Sequence, residues 1–278
     1  MASRTKVSPD TIKHIVEEAS TIAMAAFARA GGDLQVWDKV PGEPVSETDL
    51  AVDNFLRERL GALVPDAGWL SEETADDTAR LDCGRIWLVD PIDGTRDFVR
   101  GRTGWAISVA LVEDGHVVMG VLAAPARNEY WIGARGRGAF LNGKRLKASR
   151  RTDFPGSRVP TDSLPKADID LTVVEKPNSI ALRMAMVADD RADLLATLRW
   201  GYEWDIGAAA IIAEEAGARV TDALGGELRF NKPRANAFGV LCCAPSAAAR
   251  AAEAVAAVVA AAALAACPPR WSAKPRAR

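Results

Sequence analysis

Asp90 and Asp93 are two carboxylates, three residues apart, in the segment Asp-Pro-Ile-Asp-Gly-Thr that spans residues 90–95. The apolar run before them, Ile86–Val89, predicts a buried strand. Pro91 stiffens the turn that follows, and Gly94 permits a close approach of the backbone to a ligand. Carboxylates at the end of a buried strand are costly to desolvate unless a cation pairs with them. A hard divalent cation such as Mg²⁺, which binds oxygen ligands and shares them with phosphate, is the natural partner.

Further carboxylates occur where three other segments begin or end a predicted element. Together these positions predict an acidic cluster formed by Asp49, Glu72, Asp90, Asp93 and Asp205. No His or Cys accompanies the motifs, which excludes the usual zinc pattern and favours a metal that binds oxygen. Each carboxylate could instead cap a helix or a turn, but the motif around Asp90 and Asp93 favours metal binding.

These motifs and their order along the chain resemble the inositol monophosphatase family of Mg²⁺-dependent phosphatases. The matching segments are Glu72-Glu73, Asp90–Thr95 and the run Trp204–Gly217. The resemblance extends from the first predicted helix to the strand before Pro245. It implies a lithium-sensitive phosphoric monoester hydrolase that acts on a small phosphorylated metabolite with two or three Mg²⁺ ions per site.

The resemblance also implies a role for each site residue. The implied metal ligands are Glu72, Asp90, Asp93, Asp205 and the backbone carbonyl of Ile92. The implied catalytic residues are Asp49, Thr95 and Glu72. In this scheme the Thr95 hydroxyl orients the attacking water and Asp49 orients that hydroxyl.

Contacts with phosphate or with the rest of the substrate are predicted for a second, overlapping set, which comprises Asp93, Gly94, Thr95, Glu203 and Asp205. Gly94 and Thr95 would offer backbone N–H groups if a helix begins there. Glu203 is equally consistent with a charge on the surface. Lys39 lies in a loop where the family can carry a site lysine.

The stretch Leu198–Tyr202 bears on the choice of substrate. It has no acid at the spacing of the glutamate that binds inositol hydroxyls in the inositol-specific enzymes, which argues against inositol. Residues Arg199–Asp205 resemble the 3′(2′),5′-bisphosphate nucleotidase branch, so Arg199 could bind a second phosphate and Trp200 or Tyr202 could stack on a base. We therefore expect hydrolysis of adenosine 3′,5′-bisphosphate to AMP. The alternatives are inositol 1-phosphate, a sugar or histidinol phosphate, and a non-catalytic protein that binds a phosphometabolite.

Composition narrows the class of protein further. The 278 residues are 49% hydrophobic and 26% charged, and a net charge of −2 gives no reason to expect binding to a nucleic acid polymer. Four cysteines without metal spacing suit a reducing cytoplasm. The start of the chain lacks the apolar core of a signal peptide, and the Ala-rich run Ser246–Ala266 predicts a packed terminal helix rather than a membrane span. We expect a cytoplasmic protein without membrane contact, and a homodimer would match the resembling family.

The order of predicted elements indicates an α/β protein with an α+β N-terminal half and an α/β C-terminal half. Residues 1–149 are predicted to form helices and an antiparallel sheet with most metal ligands, residues 150–266 a mixed-sheet half that completes the site, and residues 267–278 a frayed tail. The resemblance implies a layered αβαβα sandwich with the metal site between the halves. The predicted elements include helices that begin at Pro9 and Asp205, a hairpin of Trp105–Val112 with Val117–Ala123, and strands Ile86–Val89 and Asp193–Leu198.

Overall fold

The structure is a computed structural model that describes residues 7–30, 34–38, 44–162 and 170–244. Within these ranges the α-helices are α1 Pro9–Phe27, α2 Glu47–Leu63, α3 Thr95–Val99, α4 Ile180–Ala188 and α5 Glu203–Glu215. The strands of the first half are β1 Val36–Asp38, β2 Pro44–Ser46, β3 Gly68–Ser71, β4 Arg85–Asp93, β5 Ala106–Glu113, β6 His116–Ala124, β7 Glu129–Ala134, β8 Gly138–Leu141 and β9 Lys144–Arg145. Those of the second half are β10 Arg158–Pro160, β11 Thr172–Val174, β12 Leu194–Tyr202, β13 Arg219–Thr221 and β14 Asn236–Cys243.

A seven-stranded sheet is the centre of the fold. Its strands follow the chain in the order β3-β4-β5-β6-β7-β8-β9, and all neighbours are antiparallel except β3 and β4. A second sheet has the order β12-β14-β13, and β1-β2 and β10-β11 form two short ribbons. The parallel pair β3-β4 brings the ends of two strands to the same edge of the large sheet, where the chain after β3 meets the motif at the end of β4.

Both faces of the large sheet are covered by helices. Along β4, Trp87 and Val89 pack with α1 and α2, whereas Ile86 and Leu88 pack with α4 and α5 on the other face. This alternation explains why β4 reads as one continuous apolar run rather than as a half-buried strand. The layers are therefore α1 and α2, the large sheet, α4 and α5, and the small sheet, which confirms the predicted layered α/β sandwich.

Helix α5 lies unusually close to the large sheet because two glycines face it. A Cβ atom on Gly120 would lie 2.7 Å from the carbonyl oxygen of Ala208, and one on Gly133 would lie 2.8 Å from Ile212 Cα. The contact joins residues from both sides of position 150 in one apolar core. The division of the chain at that position stays a prediction.

The predicted start of α1 and the predicted hairpin are confirmed. Ser8 precedes Pro9 and its hydroxyl accepts a hydrogen bond from the Asp10 amide, and the hairpin is β5-β6. The predicted end of β4 at Val89 is wrong, because an irregularity between Asp90 and Asp93 lets the pairing with β5 continue through the motif.

Two other boundaries differ from the prediction. Strand β12 continues to Tyr202, because its pairing with β14 resumes after an irregularity and ends opposite Asn236. Helix α5 consequently begins at Glu203, two residues before Asp205. The predicted helix 246–266, the tail 267–278 and Lys39 lie outside the described residues. Among the residues that are described, no helix is long and apolar enough to cross a bilayer.

The close approach of α5 predicts a specific sensitivity to volume. We expect Gly120→Ala to lower the free energy of unfolding by about 1–3 kcal/mol, because the added methyl group meets backbone atoms of Ala208 that cannot rotate away. Chemical denaturation measures the change. The control is Gly61→Ala in α2, where a Cβ has no neighbour within 4 Å. This variant should gain about 0.5 kcal/mol. Equal stability of Gly120→Ala and the wild type would contradict the packing described for α5.

Candidate metal and catalytic site

The end of β4 holds two buried carboxylates inside the fold. Asp90 is 2% exposed and Asp93 is 8% exposed. The Asp90 carboxylate accepts a hydrogen bond from the Ile92 amide at 3.0 Å. The pairing of β4 with β5 is interrupted between the two aspartates, so Pro91 and Ile92 bulge out of the regular ladder. This local geometry lets two side chains three residues apart lie at the same end of the strand.

Asp93 links the two halves of the chain. Its Oδ2 accepts hydrogen bonds from the Ser179 hydroxyl at 2.6 Å and from the Ala181 amide at 2.8 Å, so it lies at the N-terminus of α4. The Ser179 amide also donates to the carbonyl oxygen of Gly104 at 2.9 Å. The amino end of a helix favours negative charge, which offsets part of the cost of burying Asp93.

Gly94 and Thr95 turn the chain from β4 into α3. Gly94 has φ 97°, and a Cβ atom there would lie 2.8 Å from the carbonyl oxygen of Gly104, so no other residue fits without a shift. Thr95 is the first residue of α3, and its hydroxyl lies 3.3 Å from Asp49 Oδ1 and 3.1 Å from the Ile92 carbonyl oxygen. A hydroxyl has one proton, so it donates to one of these two acceptors at a time.

Two of the remaining carboxylates lie near the N-termini of helices. Asp49 accepts from the Ser46 amide at 2.9 Å in a capping box of α2, and Asp205 accepts from the Tyr202 amide at 2.9 Å at the start of α5. Glu72 follows β3, and its amide donates to the Val89 carbonyl oxygen at 3.2 Å. The predicted ligands therefore come from three parts of the chain: the turn after β3 with Glu72, the end of β4 with Asp90, Ile92 and Asp93, and the start of α5 with Asp205.

The carboxylates are close enough to repel one another strongly. Burial raises the pKa of Asp90 well above its usual range, and the negative charges of Glu72, Asp93, Asp205 and Asp49 raise it further. Burial also raises the pKa of Asp93 to about 6, although the Ser179 hydroxyl and neighbouring donors oppose the rise. The predicted acidic cluster is thus one electrostatic unit centred on Asp90.

The residues of this unit fit a hard divalent cation. Their donor atoms are all oxygens, and burial makes their mutual repulsion expensive without a positive charge. Among the described residues, no three Asp, Glu, His or Cys side chains are already arranged so that they could hold one metal ion. The charges of the other four carboxylates act on Asp90 instead, and Asp49, Asp90, Asp93 and Asp205 each accept a hydrogen bond from a backbone N–H. Glu72, Asp90, Asp93, Asp205 and the carbonyl of Ile92 are the groups that would hold Mg²⁺.

Burial decides against one of the two alternatives for Glu203. It is fully buried, and its two carboxylate oxygens accept hydrogen bonds from the backbone amides of Asn231 at 2.6 Å and Lys232 at 3.2 Å. The surface alternative is therefore wrong. These hydrogen bonds fix the loop after β13 against α5, and a contact of Glu203 with the substrate stays a prediction.

Three residues near the site were not singled out from the sequence. Ser179 caps α4 and hydrogen-bonds Asp93, Arg183 lies one turn later on the same helix, and Asp53 lies one turn after Asp49 on α2. A spacing of four residues places Asp53 on the same helix face as the predicted residue Asp49, so this signal could have indicated Asp53. Arg183 has the same spacing from Ser179, which was itself not singled out. Nothing local in the sequence indicates that Ser179 meets Asp93, because the two are far apart in the chain.

A profile of the inositol monophosphatase family matches residues 9–261, which include all of these site residues. Among similar sequences, a Mycobacterium tuberculosis protein named histidinol-phosphatase is 36% identical over 68% of this chain and 78% of its own. A Streptomyces griseus protein named glucose-1-phosphate thymidylyltransferase is 34% identical over 76% of this chain and 84% of its own. The solved structure of the Thermotoga maritima IMPase has a TM-score of 0.78 and 29% identity, and covers 91% of this chain and 98% of that one.

The repulsion within the cluster predicts that removal of one carboxylate charge stabilises the metal-free protein rather than destabilising it. In metal-free buffer at pH 7.5, we expect Asp90→Asn to have a higher free energy of unfolding than the wild type, because a neutral isostere removes the repulsion. Since the pKa of Asp90 is raised in the folded state, the contribution of Asp90 to stability becomes less favourable as the pH rises above about 4, where the carboxyl group of the unfolded chain ionises. The difference should therefore vanish towards pH 4.

Urea denaturation in the presence of EDTA at pH 4 and at pH 7.5 measures this difference. Asp114→Asn, in the exposed turn between β5 and β6, removes the same charge and should change stability by less than about 0.5 kcal/mol at both pH values. Destabilisation by Asp90→Asn that does not depend on pH would show that repulsion is not the dominant force at this position.

Proposed function

Because the chain belongs to the inositol monophosphatase family, it is a phosphatase of small phosphorylated metabolites, and we propose that its substrate is a 3′(2′),5′-bisphosphorylated adenosine nucleotide. Dependence on Mg²⁺ is general in this family. The proposed reaction converts adenosine 3′,5′-bisphosphate to AMP. The observation that carries this choice is a cavity beside the carboxylate cluster that is lined by cations and exposed aromatic rings.

The cavity has a volume of about 610 Å³, within the usual range for small-molecule sites. Asp205 lies in its wall and connects it with the carboxylate cluster, and β12 supplies much of the rest. A substrate whose scissile phosphate lies at the cluster would therefore extend along β12. This position is the one at which a second functional group of the substrate would be recognised.

Two arginines contribute positive charge to this cavity. Arg183 donates hydrogen bonds to the backbone carbonyls of Asn178 and Ser179, and burial lowers its pKa. The charge of Arg199 lowers the pKa of Arg183 further, which means that the two guanidinium groups are near each other. Guanidinium groups bind phosphate oxygens with strong, directional hydrogen bonds. A second phosphate between them would relieve their repulsion.

Two aromatic rings at the cavity are available to a planar ligand. Trp200 is 61% exposed and packs against Phe238, while Tyr202 is 45% exposed and stacks on Trp204 with ring centroids 4.5 Å apart. Large aromatic side chains with exposed faces can stack on a nucleobase, an interaction of about 1–3 kcal/mol per base. Cations and aromatic faces together favour a nucleotide over a polyol.

A monophosphate of histidinol or inositol is the second candidate. The similarity to the protein named histidinol-phosphatase favours it. Against inositol, residues 198–202 of the cavity wall contain no carboxylate that could accept hydrogen bonds from ring hydroxyls, and Asp205 in the same wall is assigned to the metal in this proposal. The alternative of a non-catalytic binding protein does not fit the family's phosphatase activity.

The residues of the site suggest how hydrolysis proceeds. Mg²⁺ held by Glu72, Asp90, Asp93, Asp205 and the Ile92 carbonyl would neutralise the phosphate charge and would lower the pKa of the attacking water. In this mechanism the Thr95 hydroxyl donates a hydrogen bond to Asp49 rather than to the Ile92 carbonyl oxygen, so the lone pairs of its oxygen can accept a hydrogen bond from that water and orient it. Asp49 is held by the Ser46 amide, which keeps the acceptor in place during the reaction. Phosphate contacts by the amides of Gly94 and Thr95 belong to the same proposal.

Other properties extend the proposal beyond the reaction. We include two or three Mg²⁺ ions per site, sensitivity to lithium, a homodimer and a cytoplasmic location. A reducing compartment suits the thiols of the described residues: Cys83, Cys242 and Cys243 are free, and burial raises the pKa of Cys243 to about 11.

The role of the Thr95 hydroxyl can be tested separately from metal binding. We expect Thr95→Ala to lower kcat by about 100-fold or more, because the water loses the group that orients it. Thr95→Ser keeps the hydroxyl and should retain most of the turnover. Mg²⁺ binding, measured by calorimetry, should change little in either variant. Wild-type kcat in Thr95→Ala would remove this residue from the mechanism.

The substrate is tested by phosphate release with and without Mg²⁺ from adenosine 3′,5′-bisphosphate, inositol 1-phosphate, fructose 1,6-bisphosphate and histidinol phosphate. We expect the nucleotide to have the highest kcat/KM. Arg199→Ala should lower kcat/KM for the nucleotide by about 10- to 100-fold, the size expected for a lost charge-assisted hydrogen bond, and should leave inositol 1-phosphate nearly unchanged. Arg229→Ala, an exposed arginine outside the cavity, is the matched control. A preference for a monophosphate, or equal losses on both substrates, would contradict the nucleotide assignment.

A further inference from the structure

Asp53 is a buried carboxylate that none of the roles above uses. It lies on α2 and is 3% exposed. Its Oδ1 accepts a hydrogen bond from the Ser71 hydroxyl, and its Oδ2 accepts one from the Thr74 hydroxyl at 2.7 Å. Both oxygens are therefore occupied by residues of one short turn. A carboxylate is buried at a cost, so this arrangement requires these hydrogen bonds.

The turn that Asp53 holds carries Glu72. Ser71 and Thr74 flank the pair Glu72-Glu73, so Asp53 accepts hydrogen bonds from the turn on both sides of the predicted ligand Glu72. Two further bonds complete the turn: the Glu73 amide donates to the Ser71 hydroxyl at 3.3 Å, and the Glu72 amide donates to β4. With its proton donated to Asp53, the Ser71 oxygen is free to accept from that amide. The backbone of Glu72 is thus fixed from the sheet and from the helix.

The same helix face also serves the other side of the site. Asp49 and Asp53 are four residues apart, a spacing that places them one above the other along α2. Asp49 reaches the Thr95 hydroxyl, and Asp53 reaches the turn after β3. One turn of α2 therefore sets the position of both the group that orients water and the turn that carries a ligand.

We propose that Asp53 is a positioning residue that sets the affinity of the site for divalent cations by fixing the Ser71–Thr74 turn. The proposal rests on the assignment of Glu72 as a metal ligand and does not depend on which phosphate ester is the substrate. Partners that orient metal ligands typically contribute about 10- to 100-fold to metal affinity or activity. Because Asp53 touches neither substrate nor the reacting atoms in this arrangement, its loss should change cation binding and not the chemical step.

The test is Mg²⁺ binding to the Asp53→Asn variant without substrate, measured by calorimetry of the full chain. An amide keeps one acceptor oxygen and turns a donor group towards the other hydroxyl, so the turn loses the negative charge that strengthens both hydrogen bonds and one hydroxyl must reverse its direction. We expect the Kd for Mg²⁺ to rise about tenfold or more, and the Mg²⁺ concentration for half-maximal activity to rise in parallel. At saturating Mg²⁺, kcat should return to within about threefold of the wild type. Glu58→Gln removes an exposed charge from the same helix and should leave the Kd unchanged.

Thr74→Val gives a second, milder variant if Asp53→Asn folds poorly. It replaces the hydroxyl with a methyl group of similar size and leaves Asp53 in place, and it should weaken Mg²⁺ binding in the same direction. Unchanged Mg²⁺ affinity in Thr74→Val and in folded Asp53→Asn would overturn the proposal, as would a loss of kcat that saturating Mg²⁺ does not restore. If the wild type itself binds no Mg²⁺, the ligand assignment of Glu72 fails and the proposal fails with it. An unexpected substrate preference would affect neither result.

Discussion

The electrostatic repulsion between Asp90 and the acidic side chains around it is the unfavourable interaction that the rest of the structure must offset. A single buried carboxylate is unfavourable, and the charges of its neighbours raise its pKa further. Such an arrangement requires that the surrounding structure hold the groups in place, and it favours binding of a cation that compensates their charges. The packed layers on both sides of the large sheet hold the carboxylates in place. Because all the donor atoms are oxygens, we expect the compensating cation to be a hard divalent ion.

The carboxylate cluster is held by hydrogen bonds at the N-termini of three helices. The amino ends of α2, α4 and α5 each supply a backbone N–H to a carboxylate, namely to Asp49, Asp93 and Asp205 respectively. Helix N-termini carry partial positive charge, so this convergence lowers the cost of the burial without a charged partner for every acid. Since α2 belongs to the first half of the chain and α4 and α5 to the second, the cluster also couples the halves. Gly120 and Gly133 also contribute to this arrangement, because they allow α5, the helix that carries Asp205, to lie close to the large sheet.

Much of this arrangement could be predicted from short-range patterns. The motif at Asp90, the apolar run before it and the capping residues of α1 and α2 each contain their own signal within a few residues. The passage of β4 through Pro91 could not be predicted, because the strand continues only through its pairing with β5. The burial of Glu203 likewise depends on a loop near Asn231, far along the chain. Long-range hydrogen bonds of this kind leave no local pattern, and they decide which acids face a ligand.

The most direct test of the central claim is the number of protons released when Mg²⁺ binds. Calorimetric titration of the metal-free protein in two buffers of different ionisation enthalpy measures this number. Since the pKa of Asp93 is about 6 and that of Asp90 is raised well above its usual range, binding at pH 6 should release about half a proton or more per site. The release should decrease as the pH rises to 8, where the carboxyl groups become increasingly ionised before the ion arrives. Mg²⁺ binding at pH 6 without proton release would contradict the account, because it would mean that these carboxylates are not electrostatically coupled to the ion.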